Sequence, residues 1–172
     1  MSHGYSTATQ PTMYFIGVTT AKSSINKIFP RWAKRLGLGE CVLRGVDFKL
    51  HDEPARYRDA VDFIKQDSLS RGALVTTHKI DLCTASRDQF DALDPLSASM
   101  GEISSIYKRN GRLHGRAADP WTVGYSLEAF LPVDHWRNGA EALILGAGGS
   151  AVALAWHLSK PEHGQNRPAR IH

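Results

Sequence analysis

Residues Ala142-Leu143-Ile144-Leu145-Gly146-Ala147-Gly148-Gly149-Ser150-Ala151 run from a short apolar strand pattern straight into a glycine-rich turn, and Ala151, Leu154, Ala155 and Leu158 continue at helical spacing. Strand, turn and helix in that order put Gly146, Gly148 and Ala151 on the G-x-G-x-x-G/A pattern of a dinucleotide site. The first glycine allows a tight turn, the second lets backbone approach a pyrophosphate, and the small third residue lets the helix lie close on the strand. The N–H groups and positive dipole end at the helix start suit phosphate. The stretch therefore predicts the opening of a Rossmann-type unit near Ala140, and its flanks decide what that unit is joined to.

Upstream, Asp119-Pro120 reads as an N-cap followed by proline in the first turn. Val123, Leu127 and Phe130 carry that helix toward Pro132, making residues 121–139 a linker. Before it, Ser104 to Tyr107 and Leu113 to Ala117 flank Asn110-Gly111, a pair that tolerates positive φ and so predicts a β-hairpin. Earlier still, strand patterns at Met13–Thr19, Cys41–Leu50 and Gly72–Thr77 alternate with two helical ones. One helix has Ile25, Ile28, Phe29, Trp32 and Leu36 on its apolar face, and the other opens at Pro54 and buries Tyr57, Ala60, Val61 and Ile64. Alternation of this kind predicts an α/β fold. The expected architecture is an N-terminal α/β lobe with a mixed sheet over residues 13–120, then the start of a Rossmann domain over 140–172.

Downstream, Pro161 to Pro168 is a polar connection and Ala169-Arg170-Ile171-His172 begins a second strand pattern. A complete dinucleotide fold needs further βαβ units of ~30 residues and a ribose-selecting residue ~20 residues past the glycines. The expectation is a chain cut within its cofactor domain, and a binding remnant without catalysis is the competing reading.

The 172 residues are 42% hydrophobic with a formal net charge of +4. Lys and Arg are scattered without a basic run or aromatic ladder, which argues against nucleic acid. Cys41 and Cys83 have neither C-x-x-C nor metal spacing, so both are expected reduced and no metal site is predicted. Met1 to Thr12 lacks the pattern of a signal peptide, and no run approaches the ~20 apolar residues of a membrane span. A cytoplasmic protein without membrane attachment is expected.

Lys79 follows the third strand pattern, Gly72-Ala73-Leu74-Val75-Thr76-Thr77-His78-Lys79, at the end where open α/β sheets place ligands. A lysine there can hold an anion or pass a proton, although a solvated strand-end lysine reads the same way. His78 reads as packing or surface. Asp119 reads as an N-cap. Ser23 and Ser24 read as helix caps or as hydroxyls for a substrate carboxylate.

Taken in order, these pieces resemble the shikimate dehydrogenase family. That family has a serine-containing turn after its first strand, a G-x-N-V-T-x-P-x-K segment, an N-T hairpin start, a D-G-x-L-x-G-x-N-T-D segment and a G-A-G-G-A loop. The counterparts here are Thr19 to Ser24, Gly72 to Lys79, Ser104-Ser105, Asn110 to Asp119, and Gly146 to Ala151. The resemblance implies Lys79 and Asp119 as the catalytic pair, and Ser23, Ser24, Thr76 and Ser104 as substrate contacts. It also implies Gly146, Ala147, Gly148, Gly149, Ser150 and Ala151 as the cradle of NADP, with NAD possible because no selector residue is present. The implied substrate is a small cyclic hydroxy acid and the implied assembly a monomer or homodimer. This sequence departs from the pattern at Leu74, where the family has asparagine, and at Ser104-Ser105 and Ala117-Ala118, where it has N-T. The Val75-Thr76 to Lys79 spacing is one residue short and lacks the proline. Lost asparagines remove hydrogen bonds to a hydroxylated ring, so quinate or another relative of shikimate is the alternative substrate.

Overall fold

The computed structural model describes residues 4–172. The chain divides into two compact units, the first ending at Ala117 and the second running from Ala118 to His172.

The first unit is built on a six-stranded sheet. Its strands are β1 (Thr12–Gly17), β2 (Val42–Asp47), β3 (Ser70–Val75), β4 (Ala92–Leu93), β5 (Ser105–Arg109) and β6 (Arg112–Arg116), in the order β2-β1-β3-β5-β6-β4. β1 runs parallel to β2 and β3, and β4 parallel to β6, whereas β5 is antiparallel to both β3 and β6. The sheet is thus mixed, as expected. The parallel joins need helical crossovers, supplied by α1 (Ile25–Arg35) between β1 and β2 and α2 (Pro54–Gln66) between β2 and β3. The β5–β6 join is the tight hairpin at Asn110 and Gly111, with φ of 53° and 72°.

Tyr14 and Ile16 of β1, Ala73 and Val75 of β3, and Tyr57, Val61 and Ile64 of α2 share one core with Leu82, Ile103, Ile106 and Leu113. The Tyr57, Ala60, Val61 and Ile64 face of α2 is buried as its spacing predicts. The face expected for α1 is shifted. Its ridge of Ile25, Phe29 and Ala33 packs on Met13, Cys41 and Leu43, while Trp32 and Leu36 are 54% and 69% exposed. These are adjacent i, i+4 ridges, and β2, an edge strand, offers surface enough for one. Both cysteines are buried and reduced.

Two helices were not anticipated. α3 (Lys79–Ser86) follows β3, and α4 (Pro95–Met100) follows β4. α4 is capped by Asp94, whose Oδ1 accepts the Ser97 N–H at 2.7 Å. It stops at Gly101, whose φ of +66° is the left-handed geometry that ends helices.

The second unit contains α5 (Asp119–Glu128), the short turn His135–Asn138 and α6 (Gly149–Leu158). The apolar run Ala142 to Leu145 is not a strand. It makes one parallel bridge, Ala142 to Ile171, fixed by the Ala142 N–H to Arg170, the His172 N–H to Ala142 and the Ile144 N–H to His172. Ile171 thus pairs as its pattern suggested, but Leu143 and Leu145 are 72% and 89% exposed. An apolar run becomes a strand only where a neighbour pairs along it.

Candidate active site

The carboxyl ends of the parallel strands β1 and β3 gather several candidate residues of the first unit. After β1 the chain turns through Thr20–Lys22 and reaches Ser23 and Ser24, the latter preceding α1. The Thr20 N–H donates to Asp47 Oδ1 at 2.8 Å, and hydrogen bonds from the Thr20 side chain and backbone hold the Asp47 carboxyl below its usual range. Asn26 Nδ2 donates to the carbonyls of Thr20 and Ser23, at 2.9 and 3.1 Å. Ser23 Oγ accepts the Ile25 N–H at 3.4 Å. This turn is therefore tied both to β2 and to α1.

Thr76 stands beside it. Its N–H donates to the Ile16 carbonyl at 2.9 Å. A side chain added at Gly17 would meet Thr76 Oγ1 at 3.1 Å and Thr20 Cγ2 at 3.2 Å, so these two threonines close on the glycine from either side. Ser104 adjoins from the antiparallel part of the sheet. Its carbonyl accepts the Val75 N–H and its hydroxyl donates to the Arg116 carbonyl at 3.3 Å. Ser104 is 3% exposed.

Lys79 is the first residue of α3, where the strand reading had put it at a strand tip. β3 ends at Val75, and Thr76 to His78 turn the chain into the helix. The Lys79 carbonyl accepts the Ile103 N–H at 3.1 Å, which anchors its backbone next to the Ser104 segment. His78, dismissed above as packing or surface, is 1% exposed. It lies among Phe48 and Tyr57, with Nδ1 3.0 Å from the Tyr57 hydroxyl. Burial pushes its pKa down. A cavity of about 350 Å³ elsewhere in this unit is lined by Tyr5, Tyr14, Arg44, Asp59 and Phe63 and by none of the candidate residues.

Asp119 belongs to the second unit. It is the first residue of α5 and not its N-cap, a position held by Ala118, whose backbone is already helical. Pro120 follows Asp119, and the N–H groups of Trp121 and Thr122 both turn to the Ala118 carbonyl. A carboxylate in a first helical turn is favoured by the helix dipole.

The glycine stretch keeps the turn and the helix of its pattern without the preceding strand. Gly146 has φ +119°, and Gly148 is the extended N-cap of α6. A Cβ at either glycine would meet nothing within 4 Å. The loop therefore leaves open space over the helix start, where the leading N–H groups of Gly149 and Ser150 point outward. The residues present fit a pyrophosphate.

No protein-family model matches the chain. A shikimate dehydrogenase (NADP+) of a Geobacillus species is 33% identical over 104 residues, 60% of this chain and 35% of the relative. Another, from Afipia carboxidovorans, is 28% identical over 149 residues, 86% of this chain and 49% of the relative. The chain is similar to these shikimate dehydrogenases over part of their length. The crystal structure of shikimate 5-dehydrogenase from Thermus thermophilus, in complex with NADP(H) and shikimate, superposes with a TM-score of 0.66 at 25% identity. It covers 89% of this chain and 52% of that one. Shikimate dehydrogenase 1 from Peptoclostridium difficile gives 0.73 at 17% identity, covering 94% and 55%. The chain thus spans about half the length, or less, of the shikimate dehydrogenases it matches.

Proposed function

We propose that this chain carries the substrate lobe, residues 13–120, and the opening of the cofactor domain, 140–172, of an NADP-dependent dehydrogenase. It would interconvert 3-dehydroshikimate and shikimate. The observation that carries the reading is the single corner of the first unit where Thr20, Thr76 and Gly17 pack together at the carboxyl ends of β1 and β3. Ser23 and Ser24 follow directly from that corner, and Lys79 begins the helix three residues past Thr76. Hydroxyls and an ammonium group at one sheet edge suit a small hydroxylated carboxylate. The kinship with shikimate dehydrogenases supports the same choice.

In this reading the Ser23 and Ser24 hydroxyls donate to the substrate carboxylate, and Thr76 and Ser104 contact the ring. Lys79 donates to the oxygen of the reacting carbon, stabilising its developing charge and passing it a proton. Asp119 is the second proton-handling group. The nicotinamide cofactor, when bound, supplies or accepts the hydride. Gly146 to Ala151 seat its pyrophosphate, the backbone of Gly146 and Gly148 leaving the room and the start of α6 supplying the N–H donors.

A second substrate, quinate or a similar cyclic hydroxy acid, is favoured by a specific observation. Ala117 is fully buried and Leu74 partly so, and neither offers the side-chain hydrogen bonds of the asparagines expected at those places. The test is NADPH or NADH formation with shikimate and with quinate by the whole dehydrogenase that carries these residues, beside its Lys79→Ala variant. Turnover with shikimate that falls at least about a thousandfold in the variant, with substrate binding retained, supports the primary reading. Turnover with quinate alone selects the second. Neither substrate turned over or bound by folded protein overturns both.

A further inference from the structure

The second unit holds a side-chain cluster for which the proposed dehydrogenase has no use. Glu128 is the last residue of α5, His157 lies in the final turn of α6, and His163 ends the short turn Pro161–His163. One ligand atom from each lies within 4.8 Å of the others. Nε2 of His157 is 3.7 Å from Glu128 Oε1, and the two imidazoles meet edge to face with centroids 5.0 Å apart. All three line a cavity of about 420 Å³, walled elsewhere by Leu127, Leu131 and Trp136.

His157 is unusually placed. Its side chain is 7% exposed, and its ring occupies the space above Gly124 of α5, where any Cβ would collide with it. Nδ1 is buried without a hydrogen-bond partner. That nitrogen lies on the Gly124 side of the ring, and the ring turns Nε2 toward Glu128. Burial first, then the charges of Lys160 and His163, lower the pKa of His157 against the opposing pull of Glu128 and Glu162. Its imidazole is therefore neutral near pH 7, with a lone pair to give. The Lys160 ammonium is occupied otherwise, sitting 4.5 and 4.6 Å from the ring centres of Trp121 and Trp156.

We propose that Glu128, His157 and His163 form a site for a divalent transition-metal ion of the zinc class, with water as fourth ligand. Two imidazoles and one carboxylate are a donor set suited to zinc and too poor in oxygen for calcium or magnesium. Donors in a tetrahedral zinc site stand ~2.0–2.2 Å from the metal and hence ~3.3–3.6 Å from one another. The 3.7 Å pair is close to that already. Rotation of exposed Glu128 and partly exposed His163 closes the rest while His157 stays fixed by packing. The ion would clip the end of α5, the end of α6 and the turn after it, stabilising the unit by mass action.

The test uses chelator-treated protein titrated with zinc chloride by calorimetry, with the unfolding midpoint followed in parallel and cobalt(II) as an optical probe. Uptake of about one zinc per chain, a rise in midpoint, and the visible bands of tetrahedral cobalt are expected. Glu128→Gln and His163→Ala alter surface-accessible residues and leave the metal-free fold intact, and each should weaken zinc at least about tenfold. Absence of one-to-one uptake, or uptake equally tight in both variants, overturns the proposal.

Discussion

The Tyr57 hydroxyl and the imidazole of His78 meet in the core, oxygen to Nδ1, across 3.0 Å. The same oxygen accepts the Asp52 N–H at 3.2 Å. Tyr57→Phe removes the acceptor of the Asp52 N–H and the hydrogen-bond partner of the buried His78 ring. It should lower the unfolding free energy by about 1–3 kcal/mol, read as a lower urea midpoint at unchanged slope. A midpoint equal to the parent's would mean that Asp52 and His78 find water instead.

Two histidines stand below the ordinary value of 6.5, His78 in the first unit and His157 in the second, each chiefly because burial disfavours its cation. The unfolded chain therefore binds protons that the folded chain refuses. Stability from these rings is complete above about pH 6.5 and is lost progressively as the pH falls toward their lower folded values. His78 feels Asp81 and Asp52 as attractive and His51 as repulsive charges. His157 faces Glu128 and Glu162 against Lys160 and His163. The unfolding midpoint should fall between pH 7 and pH 5, and His78→Gln should flatten part of that slope. An unchanged slope in the variant would remove His78 from the account.

Asp67 is a buried acceptor for three donors: the Ala8 N–H, the Leu69 N–H and the Tyr14 hydroxyl, each at 3.0 Å. Burial first and the Asp67 hydrogen bond second push Tyr14 up to about 12. Spectroscopic titration of tyrosinate should leave Tyr14 as a late step, absent in Tyr14→Phe. Asp67→Ala, which strands all three donors, should cost on the order of 3 kcal/mol, measured by denaturant unfolding.

Gly146 and Gly148 separate backbone need from ligand need. A Cβ at Gly148 meets open space and its φ is −80°, so Gly148→Ala should fold, at a cost of no more than about 1 kcal/mol for alanine at the N-cap of α6. Under the proposed function it should nevertheless weaken NADP binding about tenfold or more, because the methyl group fills the approach to the pyrophosphate. Gly146→Ala is strained by its φ of +119° and should lose about 1 kcal/mol or more of stability as well. Equal cofactor affinity in Gly148→Ala and parent would rule out this cradle.

Local signals in the sequence carried much of this fold. Asn110-Gly111 announced a hairpin because only a few residues accept positive φ twice in succession, and Pro54 opened α2 because proline costs nothing at a helix start. α3 escaped because Leu82, Cys83 and Ser86 are buried without forming a repeating stripe. Its first residue was consequently assigned to a strand. α4 did carry a readable signal, since Asp94-Pro95 has the form of Asp119-Pro120, and there the aspartate truly caps. Leu143 and Leu145 misled in the other direction, because pairing along their run depends on partners distant in sequence. Of the candidate site, Ser23 and Ser24 read locally as helix caps and only the resemblance joined them to Thr76; the fold places all three just past the carboxyl ends of β1 and β3. His78, read as packing or surface, is indeed packed; its hydrogen bond to Tyr57 was not legible, because Tyr57 lies on another element and only folding makes them neighbours. The cluster at His157 was equally hidden, its three members having no familiar spacing.

The strand order also governs how this protein tolerates crowding by its own copies. One margin of the sheet is β4, two residues long, which gives an incoming chain almost nothing to hydrogen-bond. The other is β2, where Arg44 and Asp47 put charge on the outer strand and Thr20 lies against Gly45. Short or charged margins resist the edge-to-edge growth that leads sheets into aggregates. The outermost strands of the first unit thus discourage pairing with another copy, while its candidate residues lie past the ends of the inner ones.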